Sequence, residues 1–189
     1  VYIDSVAPIL TRIYNDLPTS SELPRDFGMS LLILLYKKGD PKDIANWRPI
    51  SLQNTDEKIL SRVLAARLAV VCAQVLGKEQ SGFIPGRETS DVILHTQCVQ
   101  RLLTKKKRGG YIALLDFEKA YDSVDHDFLM RILHRMDGGG FFTSVIRKLY
   151  SQPRLRIRCN GTYTQEVELK RGVRQGCPVS PLLFNLVMN

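Results

Sequence analysis

The sequence predicts an α+β fold, and three observations carry that prediction. Two continuous apolar runs of strand length occur, at Leu31 to Tyr36 and, as YIALLD, at Tyr111 to Asp116. Between them apolar residues recur at three- and four-residue spacing, the period of an amphipathic helix. Asn160-Gly161 then joins two alternating stretches, and that dipeptide favours the type I′ turn of a β-hairpin. Helices and strands in mixed order with a hairpin give α+β or a split βαβ arrangement.

Taken in order, Ala7 to Leu17 suits a short helix that ends at Pro18 and a polar TSSE stretch. The Leu31 to Tyr36 strand empties into KKGDPKD, a basic, turn-rich loop. From about Asp56, the residues Ile59, Leu60, Val63, Leu64, Leu68 and Val71 predict a long helix. Gly77, Gly82, Pro85 and Gly86 break the next segment into a loop, and Ser90 to about Lys106 reads as a second helix. Gly109-Gly110 leads into Tyr111 to Asp116, expected as a short buried strand. Asp127 to Met136 and Phe141 to Tyr150 read as amphipathic helices on either side of a glycine turn at 138–140. Arg154 to Cys159 and Thr162 to Leu169 form the hairpin, and RGVRQGCPVSP is a loop that opens a final apolar helix.

A length of 189 residues suits one domain or one lobe of a larger one. With 44% hydrophobic and 24% charged residues there is enough apolar mass for a core, which excludes a disordered, collagen-like or mucin-like chain. Lys and Arg number 27 against 19 Asp and Glu, so the net charge of +8 points to a polyanionic partner, or else to a solvated basic face. The longest apolar run, Met29 to Tyr36, is far short of the roughly 18 residues that cross a bilayer, so no membrane partner is expected. VYIDSVAPIL has no basic segment of the secretory type. It also lacks an initiator Met, and LLFNLVMN stops in mid-pattern, so both ends read as cut.

Cys72, Cys98, Cys159 and Cys177 are too far apart for a zinc site, and His95, His126 and His134 are scattered. Three of the cysteines sit in apolar or strand-like contexts that predict buried, reduced thiols and an intracellular setting, cytoplasmic or nuclear. The KKKR run at 105–108 is a weak localisation candidate.

A carboxylate at the end of a buried strand is a natural metal ligand, because the strand holds it rigidly at the solvent boundary. Asp116 has that position, and Asp122, Asp125 and Asp127 follow closely. Asp122 or Asp125 could instead cap the next helix. Arg48, in NWRPIS, follows the loop that carries Lys37 and Lys38; arginine grips phosphate bidentately, and lysine acts as a compact charge. GVRQGCPVSP, with two glycines and two prolines, suits close approach by something flat or extended, or a tight connector.

Together NWRPISL, EQSGFIPGR, LLDFEKAYDSVD and GVRQGCPVSPLLFN, in this order, resemble the reverse transcriptase domain of non-long-terminal-repeat (LINE-type) retrotransposons. The resemblance spans Leu23 to Asn189, leaving residues 1–22 as a lead-in helix and linker. It implies a right-hand polymerase: fingers over about 23–108, and over about 109–189 a partial palm with a ferredoxin-like core. The implied activity is RNA-directed DNA polymerisation from deoxynucleoside triphosphates onto a primer 3′-hydroxyl, with an RNA template and a DNA primer as partners. Two Mg2+ ions, or Mn2+ in their place, serve the complete enzyme.

By the same resemblance, Asp116 is a catalytic metal ligand and the carbonyl of Phe117 a further one. Arg48 and Lys38 hold the incoming triphosphate, with Lys37 open as the alternative to Lys38. Tyr121 stands at the position that excludes a ribose 2′-hydroxyl, which does not prevent it from packing beneath the strand. Gln175 and Gly176 match the loop against the nucleotide and template. Arg154, Arg156, Arg158, Arg171 and Arg174 would supply phosphate contacts. The family also needs a strand-turn-strand with an aromatic-Ala-Asp-Asp signature, and no Asp-Asp pair occurs in the 189 residues. The expectation is a partial domain, inactive by itself; the alternative is a non-catalytic nucleic-acid-binding remnant or domesticated element protein. No oligomeric state follows from the sequence.

Overall fold

The apolar stretch that begins near Asp56 forms the longest helix, α2 (Thr55–Val75). Leu60, Leu64, Leu68 and Cys72 are buried at four-residue spacing, together with Glu57 and Ser61 on the same side. Ile59, Val63 and Val71 flank that stripe and stay about two-fifths exposed, so the buried face is narrower than the apolar one. Each fully buried leucine contributes about 1.5–3 kcal/mol of transfer free energy.

The computed structural model describes residues 2–21, 23–24, 26–137 and 140–189. Around α2 the chain adds α1 (Ile3–Asp16), β1 (Met29–Tyr36), β2 (Trp47–Gln53), α3 (Thr89–Lys105), α4 (His126–Asp137) and α5 (Phe141–Ser151). It continues with β3 (Arg154–Cys159), β4 (Thr162–Tyr163), β5 (Val167–Glu168) and α6 (Ser180–Met188). The class is α+β, as the alternation of periods predicts. Of the expected glycine turn, residues 138 and 139 lie outside the described residues; Gly140 precedes α5 in an extended conformation.

Helices α2 and α4 both pack on α6, and α4 packs on α5. Leu129 and Leu133 of α4, Val145 and Ile146 of α5, and Leu182, Leu183 and Leu186 of α6 fill the core with the α2 leucines. The sheet runs β2-β1-β3-β4, with β5 also on β3. β1 is antiparallel to β2 and parallel to β3, so the sheet is mixed. One face carries buried Ser30, Ser51 and Leu155; side chains alternate, so the opposite face carries Arg48 and the β3 arginines.

The hairpin forms where expected. Asn160 (φ 50°) and Gly161 (φ 80°) are both left-handed, as a type I′ turn requires. Arg158 pairs with Tyr163, but Arg154 pairs with Glu168, a register change of one residue. An extra residue therefore lies between β4 and β5, and the return strand is broken in two.

Tyr111 to Asp116, expected as a short buried strand, is neither. The segment makes no strand pairing, Tyr111 is fully exposed, and Leu114 and Leu115 are 93% and 86% exposed. An apolar run becomes a strand only beside a hydrogen-bonding neighbour, and none of the five strands reaches this one. Cys72 and Cys177 are buried, whereas Cys98 and Cys159 are exposed; all four are free thiols, two buried rather than the three expected. Cys159 ends β3 at the turn, where the sheet no longer covers it. Among the described residues no helix is long and apolar enough to cross a membrane.

Candidate functional site

The β1–β2 hairpin brings the basic loop and Arg48 together. Lys37 donates its backbone N–H to Asn46 O (2.9 Å), and Tyr36 meets Trp47 edge to face at 5.5 Å. Local polar contacts hold the loop shape: Asp40 accepts from the Lys42 N–H (2.9 Å), Asp43 accepts from the Ala45 N–H (2.9 Å), and the Trp47 indole donates to Pro41 O (3.0 Å). Lys37, Lys38 and Arg48 are all exposed, and Arg48 lies opposite Leu35 in the ladder. The NWRPIS segment is thus a strand, β2, which sequence reading left unassigned.

The loop after β5 is fastened residue by residue. Gly172 N–H donates to Val124 O (2.7 Å) and Val173 N–H to Tyr121 O (2.8 Å). Gln175 O accepts from the Ser51 N–H of β2 (2.8 Å). Gly172 (φ 94°) and Gly176 (φ 108°) are left-handed, and a Cβ at Gly176 would come within 2.7 Å of Ser51 O. Gln175 and Gly176 therefore lie against β2 two to three positions from Arg48. One line of backbone hydrogen bonds joins the segment after Asp116, this loop and the strand of Arg48.

Arg174 does not face solvent. It is 4% exposed, pairs with Glu57 (1% exposed) and donates to Gly28 O at 2.8 Å. Glu57 also accepts from the Gln53 amide (2.9 Å) and the Gly28 N–H (3.3 Å). The expected phosphate contact at Arg174 is therefore corrected: its charge is spent on tying the loop to β1, β2 and α2. Glu57 was missed, although an acid at a buried-stripe position of α2 already signals a cationic partner.

Arg154, Arg156 and Arg158 are exposed and share one face of β3. The first two pair with Glu166, at 3.0 and 2.8 Å. Arg171 is exposed at the start of the loop. Tyr121 is half-buried, edge to face with Phe184 at 5.1 Å, and burial pushes its phenol pKa up. Asp125 accepts from the Phe128 N–H (2.7 Å), so it caps α4.

Asp116 and Phe117 lie on the exposed, unpaired segment, without the buried strand expected to hold them. Among the described residues no three His, Cys, Asp or Glu side chains gather closely enough to hold a metal ion. One carboxylate and one carbonyl are oxygen donors of the kind a hard cation takes, but they are too few for a two-ion site, so they fit only as part of one.

Residues 36–189 match the family described as reverse transcriptase (RNA-dependent DNA polymerase). The chain belongs to that family. It is 35% identical, over 98% of its length, to the transposon TX1 uncharacterized 149 kDa protein of Xenopus laevis, of which it covers 14%. It is 32% identical, over 90% of its length, to the Pol polyprotein from type-1 retrotransposable element R2 of Popillia japonica, covering 26% of it. Identity to the Pol polyprotein from element R2DM of Drosophila melanogaster is 30% over 96% of this chain and 17% of that protein. The chain thus spans about a quarter or less of these curated relatives. It is a reverse transcriptase domain of the LINE type, homologous to retrotransposon RNA-directed DNA polymerases.

Proposed function

We propose that this chain supplies the nucleotide- and template-facing surface for RNA-directed DNA polymerisation by a retrotransposon protein. The observation that carries the reading is the docking of Gln175-Gly176 on Ser51 of β2, the strand that carries Arg48. Arg48 and Lys38 reach the triphosphate from the hairpin, Arg48 as a bidentate donor and Lys38 as a point charge. The Gln175-Gly176 backbone offers a flat wall to base and template, and the absence of a Cβ at Gly176 lets the loop lie close against Ser51 of β2. Arg154, Arg156, Arg158 and Arg171 contact phosphates of the template–primer. In this reading residues of about 23–108 are mainly fingers and those of about 109–189 mainly palm, joined through the parallel β1–β3 pair.

Asp116 and Phe117 are proposed as the part of the magnesium site that this chain contributes. They do not complete it, so chemistry requires carboxylates besides those described, and no catalytic step is assigned to this chain alone. The test is primer extension by a polypeptide that carries this chain together with an aromatic-Ala-Asp-Asp segment. Arg48→Ala is expected to raise KM for the deoxynucleotide about tenfold, the loss of a charge-assisted pair. Asp116→Asn is expected to abolish extension and leave template binding intact. Wild-type extension by both variants would refute these assignments.

A further inference from the structure

One carboxylate, Glu166, uses both oxygens on two arginines of β3. Arg154 donates to Oε2 at 3.0 Å and Arg156 to Oε1 at 2.8 Å. These arginines are two residues apart on one strand face, about 6.6–6.8 Å along it. Glu166 reaches both because it lies in the break between β4 and β5, where the ladder shifts by one residue. The pairing puts one anionic oxygen on each of two arginines, as two neighbouring phosphates of a nucleic-acid strand would. The next arginine in the row, Arg158, and Arg48 across β1 make no ion pair among the described residues.

We infer that Glu166 is an internal phosphate mimic that a nucleic-acid strand must displace, and that it thereby sets the affinity of this face. The inference rests on the nucleic-acid reading of the sheet face given above. A strand enters on the unpaired Arg158, and its adjacent phosphates then replace the Glu166 carboxylate on Arg156 and Arg154. An exposed ion pair is weak enough for this exchange. Because the two arginines swap one anion for another, they release few counterions. The wild-type chain therefore shows a shallower salt dependence than its count of arginines implies.

Fluorescence anisotropy with a labelled single-stranded oligouridylate, titrated over a range of KCl concentrations, tests this. Glu166→Gln keeps the shape and removes the charge. It is expected to tighten binding several-fold at low salt and to steepen the log K against log[salt] slope by about 0.7–1.4, one to two phosphate contacts on a single strand. In an Arg154→Gln/Arg156→Gln background the same change is expected to have no effect, since its targets are gone. If Glu166→Gln leaves affinity and slope unchanged while Arg154→Gln/Arg156→Gln/Arg158→Gln loses binding, the mimic is refuted and the binding face stands. If the triple variant binds like wild type, the face itself is not the nucleic-acid surface. Far-UV circular dichroism and thermal melts on each variant separate these outcomes from misfolding.

Discussion

Glu57 and Arg174 are opposite charges held almost entirely out of water, and their worth is asymmetric. A buried pair with its hydrogen bonds made is near break-even against apolar replacements, but removing one partner strands a charge. Glu57→Ala would leave the Arg174 guanidinium, the Gln53 amide and the Gly28 N–H short of an acceptor. The expected cost is about 3–5 kcal/mol by urea unfolding, and an apolar Glu57→Met/Arg174→Met pair is expected to cost less than either single change. A second residue contributes to the alkaline limit. Tyr150 is buried, and desolvation pushes its phenol well above the ordinary value. Its folded form keeps a proton that the unfolded chain loses near pH 10, so this contribution is whole below pH about 10 and falls above it. The thermal midpoint is expected to drop from pH 10 to 12, less steeply in Tyr150→Phe. Tyr14 and Tyr121, shifted the same way by burial, supply part of the remainder. The sequence makes Arg174 resemble its neighbour Arg171, because both stand in a basic loop. Only the fold shows that one of them meets a buried acid 117 positions away.

At the scale of elements, local patterns were legible and their partners were not. The four-residue stripe of α2 and the Asn160-Gly161 turn carry their own periodicity and torsional demands, and both formed as read. Tyr111 to Asp116 has the composition of a strand but no neighbour, and composition alone cannot supply one. The same holds for the candidate site: Arg48 stands out in the sequence as a proposed phosphate ligand, whereas its strand depends on pairing with β1 and the loop resting on that strand on the contact between Ser51 and Gln175. This docking gives an element-scale prediction. At Gly176 a side chain would need both a left-handed φ of 108° and room where Ser51 O stands 2.7 Å away. Gly176→Ala is expected to lift the loop from β2 at a cost of about 1–3 kcal/mol. Hydrogen exchange at the Ser51 amide, which donates to Gln175, reads that loss directly; unchanged protection would show that the loop is not held there.

Beyond the helical core, many large apolar side chains of the molecule stay exposed. Every described residue of α3 is outside the core, and from Tyr111 to Phe117 the chain is exposed along its length, including Leu114 at 93% and Leu115 at 86%. The unpaired backbone there presents free N–H and C=O groups next to apolar side chains, the combination that templates strand addition. The isolated chain is therefore expected to self-associate as its concentration rises, despite a net charge of +8. Replacing both exposed leucines, Leu114→Lys and Leu115→Glu, leaves the net charge unchanged and touches nothing in the core. The denaturation midpoint is expected to stay within about 0.5 kcal/mol of wild type, as for surface changes generally. Sedimentation velocity over a range of concentrations should show the wild-type chain shifting to larger species while the double variant stays monomeric. If both sediment alike, the segment is not the adhesive surface. A loss of stability in the double variant would instead mean that Leu114 and Leu115 pack in solution.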